Sequence, residues 1–140
     1  MYLLDVNVLI ALCDPNHVHH ERGRNWFLSP ACGAWATCPI TENGLVRILG
    51  QSSYPDFDGG PDDARQVLDA LTCATGHQFW PDAVSLRDLQ AFPGLPGSRH
   101  LTDLYLLGLA VHNLGRFATF DARIDANLVS GGTGALYPIP

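Results

Sequence analysis

Four carboxylates stand out in this 140-residue chain because of where they fall among its apolar segments: Asp5, Glu42, Asp103 and Asp121. Asp5 closes the run Tyr2-Leu3-Leu4 and is followed at once by Val6, while Asp121 directly follows Phe117 to Phe120. Glu42 and Asp103 each follow a threonine, Thr41 and Thr102, of the kind that caps a helix, so each is expected in a helix first turn. In open α/β sheets the carboxyl ends of strands and the N-termini of the following helices share one edge, where ligands bind. The four acids, distant in sequence, are therefore expected to converge there. Gathered together they would repel and raise one another's pKa unless a cation compensates. A hard divalent ion does so: magnesium takes oxygen ligands, keeps several waters and binds through one or two carboxylates. Such an ion can activate a water and neutralise charge on a phosphodiester during its cleavage. No nucleophilic side chain is needed, and Asn7, two residues after Asp5, is placed to orient a carboxylate or a metal-bound water.

Each acid taken singly also has a structural reading. Carboxylates favour helix first turns for dipole reasons alone, and Asp121 before Ala122-Arg123 can simply open a turn. The combination weighs against that reading, since a carboxylate beside a core strand is costly unless paired or metal-bound.

The elements that must position these groups are readable as short apolar segments. Tyr2 to Asp5 reads as a strand leading directly into Val6 to Leu12. Residues 18–28 have a helical pattern with Val18, Trp26, Phe27 and Leu28 as apolar members. Ala34 to Cys38 alternates as a strand does, and a helix capped by Thr41 follows through Leu45, Ile48 and Leu49. Gln51 to Gly60 is a loop. Pro61 opens another helix, with Ala64, Val67, Leu68 and Leu71 on its core face. Gln78 to Trp80 reads as a strand and Val84 to Phe92 as a short helix. Thr102 is expected to cap the most apolar helix, whose stripe is Leu104, Leu107, Val111 and Leu114, with Gly115 at its C-cap. Phe117 to Phe120 is a strand, and Leu136 to Ile139 a last one. Short strands alternating with helices imply an α/β fold with a mostly parallel central sheet flanked by helices, with residues 1–140 as a single domain.

Composition narrows the chemistry further. The chain is 46% hydrophobic and 16% charged, which suits a packed core rather than disorder. The apolar run Leu104 to Leu107 is far shorter than a membrane span, and no cationic apolar leader opens the chain, so a cytoplasmic protein is expected. All eight basic residues are arginines, and the net charge is −6. The absence of lysine excludes Walker-type phosphate loops, Schiff-base chemistry and phosphotransfer sites pairing an Asp with a Lys. A phosphohydrolase on a Rossmann-like sheet would need a second Asp two residues after the first; Asn7 stands there. Acidity is concentrated between residues 54 and 103, so any nucleic acid must be drawn by bound cations or local arginines. Cys13, Cys32, Cys38 and Cys73 form no CxxC pair and are expected to be small buried hydrophobes rather than a zinc site or disulfide framework.

Three histidines, His17, His19 and His20, cluster with Asp14 and Glu21. Zinc ligation is one reading of them and helix packing the favoured one, with a position along a ligand path as an intermediate. Asp125, four residues beyond Asp121, is a candidate outer ligand, although an Asp in a loop beside Arg123 is usually solvated. Arg47 is a candidate phosphate contact, and Arg22, Arg24, Arg99 and Arg116 are further candidates for anionic contacts.

These residues carry a resemblance. Leu3-Leu4-Asp5-Val6-Asn7-Val8-Leu9-Ile10, Thr41-Glu42-Asn43-Gly44, Leu101-Thr102-Asp103-Leu104-Tyr105-Leu106-Leu107 and Ala118-Thr119-Phe120-Asp121 look like the four acidic motifs of PIN-domain ribonucleases, in their order and spacing. They are most similar to the VapC-type toxins of bacterial toxin–antitoxin pairs, and His77-Gln78-Phe79-Trp80-Pro81-Asp82 resembles one VapC subgroup. The resemblance implies a three-layer, Rossmann-like PIN fold and an endoribonuclease dependent on Mg²⁺, with Mn²⁺ as the alternative ion, acting on structured RNA such as tRNA or rRNA. It further implies a cognate VapB-like antitoxin and a homodimer. Asp5 and Asp103 match the principal metal ligands of the family, and Glu42 and Asp121 its remaining acidic positions. The competing expectation is a PIN scaffold that binds RNA or antitoxin without turnover.

Overall fold

The computed structural model describes all 140 residues. In chain order its elements are β1 (Tyr2–Leu4), α1 (Val6–Cys13), α2 (His20–Phe27), β2 (Trp35–Thr37), α3 (Pro39–Leu49), α4 (Pro61–Thr72), β3 (His77–Phe79), α5 (Leu101–His112), β4 (Arg116–Thr119), α6 (Gly132–Ala135) and β5 (Leu136–Pro138). Short 3-10 turns cover Ser98–His100 and Ala126–Leu128. The five strands form one wholly parallel sheet in the order β3-β2-β1-β4-β5.

Side-chain alternation along such short strands divides the interior in two. Leu3, Ala36 and Phe117 face a core completed by Leu104, Leu107 and Ala110 of α5 with Phe92 and Ala135. Their neighbours Leu4, Trp35 and Ala118 face the opposite core, with Val8 and Leu9 of α1, Trp26 of α2, Leu45 of α3 and Ala64 of α4. The result is three layers, α1 to α4 on one face of the sheet and α5 and α6 on the other. Because the sheet is covered on both faces, its strands bury almost no polar side chains; Thr37 and Thr119, at two strand ends, are the buried exceptions, while His77, Gln78 and Arg116 are partly or fully exposed. No helix is long and apolar enough to cross a membrane.

Several sequence expectations shift. The two threonines do not occupy the N-cap position: Cys38 is the N-cap of α3 and His100 that of α5, which places Thr41 and Thr102 inside their helices. Both carboxylates nevertheless stay in a first turn. Thr41 is buried and its hydroxyl accepts the Cys38 N–H at 2.9 Å, so it caps from the third helical position. No helix forms over Val84 to Phe92. There the Ser85 hydroxyl accepts the Arg87 amide and the Asp88 carboxylate accepts those of Gln90 and Ala91, local bonds that compete with helical ones. Val18 is exposed and lies before α2, and β3 begins at His77 rather than Gln78. Cys73 is exposed, unlike the buried Cys32 and Cys38, and all four cysteines are free.

The end of α5 is also displaced. Leu114, expected in the apolar stripe, is 96% exposed and adopts a left-handed backbone with φ of 55°. It is the residue after the cap in a Schellman closure, where its N–H reaches Val111 O and that of Gly115 reaches Ala110 O. Glycine is needed one residue later, because a Cβ on Gly115 would lie 2.6 Å from Trp80 Cη2 and 3.1 Å from Met1 O.

At the far edge of the sheet, the Ile139 N–H donates to Thr119 O and the Leu136 N–H turns back to Gly132 O. Pro138, between them, has no N–H to offer.

Leu114→Gly is expected to raise stability by roughly 0.5–1 kcal/mol by removing the left-handed penalty. Gly115→Ala is expected to lower it by roughly 1–3 kcal/mol through overpacking against Trp80. Thermal melts of the two variants check both signs.

Candidate functional site

Asp5 sits where β1 becomes α1 without an intervening loop. Its N–H completes the ladder to Ala118 O at 3.0 Å, and its carbonyl accepts from Val8 and Leu9, each at 3.0 Å. The residue is only 6% exposed. Its Oδ2 accepts the Thr119 hydroxyl at 2.7 Å, and the same hydroxyl oxygen accepts the Asp121 N–H at 3.1 Å. Thr119 thus ties the first acid to the last through one hydroxyl. Burial pushes the Asp5 carboxyl up to about 6, the Thr119 bond opposes that rise, and the charge of Asp103 adds to it. Asp5 takes part in no ion pair.

Asp103 comes from the first turn of α5 and is partly buried. Burial raises its carboxyl, His100 offsets part of the rise, and Asp121 contributes to it. His100 Nδ1 lies 3.7 Å from its Oδ2, an ion pair only when the ring is protonated. Asp121, past the end of β4, is held by Arg123: Nε and Nη2 donate to its two oxygens at 3.0 Å each, and the Arg123 N–H adds a third bond at 2.8 Å. That clamp lowers its pKa below the usual carboxylate value. Asp103 is therefore in electrostatic reach of both Asp5 and Asp121 at one edge of the sheet.

Glu42 is held differently. The buried Thr37 hydroxyl donates to its Oε1 at 2.6 Å and is joined by His77 Nε2 at 2.8 Å, the ring acting as donor since the hydroxyl proton is already engaged. Nowhere do three His, Cys, Asp or Glu side chains gather closely enough to enclose an ion. The pair Asp5 and Asp103 suits a hard cation nonetheless, being oxygen donors that repel each other, with Asp5 lacking any cationic partner. Thr37 and Thr119 escaped the sequence reading; the available signal was a threonine ending an otherwise apolar strand.

The remaining candidates separate clearly. Asn7 is exposed beside the site. Asp125 accepts the N–H and Nδ2 of Asn127 and is turned to its own turn. His20 Nδ1 donates to Ala11 O at 2.7 Å, packing α2 on α1, while His19 stacks on Phe120 with ring centroids 4.5 Å apart. Arg47 is exposed, forms no ion pair and lines a hollow of about 350 Å³ with Val6, Asn43 and Thr102. Arg22 donates to the carbonyls of Ile139 and Pro140, and Arg116 lies over the Tyr137 ring at 5.0 Å. A larger hollow of about 570 Å³, between the loop from Asp82 to Ala91 and the later half of α5, shares no residue with the acidic edge.

A parallel sheet in this order, with acids from two strand ends and two helix starts on one edge, defines a PIN domain, and the family model of that name matches residues 2–127. The chain belongs to the PIN-domain family. Within it the chain is a member of the VapC group. It is 43% identical over 136 residues to Ribonuclease VapC44 of Mycobacterium tuberculosis, covering 94% of this chain and 93% of that protein. It is 46% identical over 124 residues to Ribonuclease VapC38 of the same organism, covering 89% and 87%. With Ribonuclease VapC39 it shares 44% over 136 residues, covering 92% and 94%.

The raised Asp5 carboxyl has a thermodynamic consequence. Between its usual 3.8 and about 6 the folded chain binds more protons than the unfolded one, so ion-free stability falls as pH rises through that window. Asp5→Asn keeps an oxygen to accept the Thr119 hydroxyl and removes the buried charge. It is expected to be more stable than the parent at neutral pH by on the order of 2 kcal/mol, with the gap closing on acidification. Urea melts in EDTA at neutral and acid pH check the sign.

Proposed function

We propose that this chain is a metal-dependent endoribonuclease of the VapC toxin type, cutting structured cellular RNA such as tRNA or rRNA. The observation that carries this reading is a buried carboxylate, Asp5, facing Asp103 at the ligand-binding edge of a PIN sheet with no cation of the chain's own to neutralise it. The ribonuclease names of its relatives support it.

Asp5 and Asp103 would be the principal holders of Mg²⁺, with Mn²⁺ as the alternative, and Glu42 and Asp121 would complete the acidic set around it. When bound, the ion acidifies a water and offsets charge on the phosphodiester. Thr119 fixes the rotamer of Asp5, so the donor atoms need little rearrangement. Asn7, exposed at the rim, would orient one of the carboxylates from the side. Arg47 binds a phosphate of the substrate on the α3 side, where Thr102 and Val6 line the same hollow. In an acidic chain without lysine, such local arginines and the bound ion supply the attraction that net charge withholds. Residues 1–140 act as one domain in the cytoplasm, as a homodimer neutralised by a VapB-like antitoxin.

Total cellular RNA incubated with the protein and Mg²⁺ is expected to show discrete new 5′ ends that disappear in EDTA. Asp5→Asn and Asp103→Asn are each expected to slow cleavage at least about 100-fold, the scale of several kcal/mol of charge stabilisation, while circular dichroism stays native. Full activity of either variant in ample Mg²⁺ overturns the assignment. Absence of cuts by folded, metal-loaded protein points instead to a PIN scaffold that binds without turnover.

A further inference from the structure

On the β4 side of the carboxylates lies a cleft of about 590 Å³. One wall is apolar and aromatic, formed by His17, Val18, His19 and Phe120; the other is polar, with Asn7, Asp121 and Arg123. Val18 is 85% exposed and lines the same wall as the three rings. His17 and His19 have ring centroids 5.7 Å apart with their planes 55° from parallel, and His19 lies against Phe120 at 4.5 Å and 35°, so the three mutually tilted rings form a stepped platform. Phe120 is seated from behind: a Cβ on Gly23 would come within 3.1 Å of its Cζ, and Arg22 lies over its ring at 5.4 Å. The His17 Nδ1 accepts the His19 N–H at 3.1 Å. That bond fixes the neutral tautomer and leaves Nε2–H as a donor with no partner in the chain.

We propose that this cleft is a base-binding subsite that receives one unpaired nucleobase next to the scissile phosphate. The base lies against the His19–Val18 wall, with the His17 Nε2–H available to its edge and Arg123 to the neighbouring phosphate. The platform suits a base better than a paired helix, because single-stranded bases are held chiefly by stacking on aromatic faces. The cleft reaches Asp121 and Asn7, so a nucleotide seated there has its backbone at the acidic edge. On the opposite side, the hollow with Arg47 continues the path. The inference rests on the proposed nuclease reading, and its test does not require cleavage.

The probe is a short single-stranded oligoribonucleotide carrying 2-aminopurine at one internal position, whose fluorescence falls on stacking, titrated with the protein in EDTA. Wild type is expected to quench it, whereas a matched duplex, in which the base is already stacked on its neighbours, is expected to show no further change. His19→Ala should weaken binding roughly 5- to 100-fold, the range of one stacked base. His19→Phe should restore it, because a ring rather than a charge is required. Val18→Glu, at an exposed position where folding is not at stake, should weaken it comparably. No quenching by wild type, or quenching unchanged in both His19→Ala and Val18→Glu, overturns the subsite even if RNA is cut. Quenching that depends on His19 without any metal-dependent cleavage leaves the subsite standing and removes the nuclease.

Discussion

The carboxylate of Asp5 is buried at the point where the central strand turns into a helix, and each polar group of its backbone is already committed. Its N–H belongs to the sheet, its carbonyl to the first turn of α1, and one side-chain oxygen to Thr119. The residue therefore cannot move without opening the β1–β4 pairing or unwinding α1. Other features follow from this placement. β4 must run parallel beside β1 to present Thr119, α5 must start at the same edge to deliver Asp103, and the acids that converge there must be kept from repelling the fold apart. The chain uses a clamp for one of them, Arg123 on Asp121, and leaves Asp5 without one. A group that costs stability as an isolated charge is what one expects where binding is to repay the cost.

How far this was readable from sequence varied with the kind of signal. The strand carrying Asp5, the strand leading to Asp121 and the parallel architecture showed as short apolar segments alternating with helical ones, because burial on both faces leaves such strands little else to contain. The placement of Glu42 and Asp103 in first turns was right, though the threonine caps behind it were not. Thr41 sits inside α3, where a buried hydroxyl reaches back to the Cys38 amide. The expected helix from Val84 to Phe92 failed because Ser85 and Asp88 satisfy the backbone locally, which composition alone does not reveal. Leu114 misled for a related reason: the glycine expected to end α5 is required one residue later by the approach of Trp80.

The side-chain chains around the acids were the least visible part. Thr37 and Thr119 are single hydroxyls in apolar strands, and only the register of neighbouring strands decides what they meet. Their effects differ. Thr119 orients Asp5 within the charge cluster, whereas Thr37 and His77 draw Glu42 into a separate hydrogen-bonded chain. The four acids thus share an edge without sharing one environment.

The last strand carries a further implication for how copies of the chain can meet. Along the outer side of β5 the Leu136 amide is consumed by Gly132 O and Pro138 has none, so this border of the sheet presents no free donor. A neighbouring polypeptide seeking to extend the sheet would find acceptors alone, and continuous β-pairing across two molecules or along a fibril is blocked there. Any association at this border would rest on side chains and lone carbonyls rather than on a continued ladder, which would leave the register of the sheet, and with it the acidic edge, unchanged.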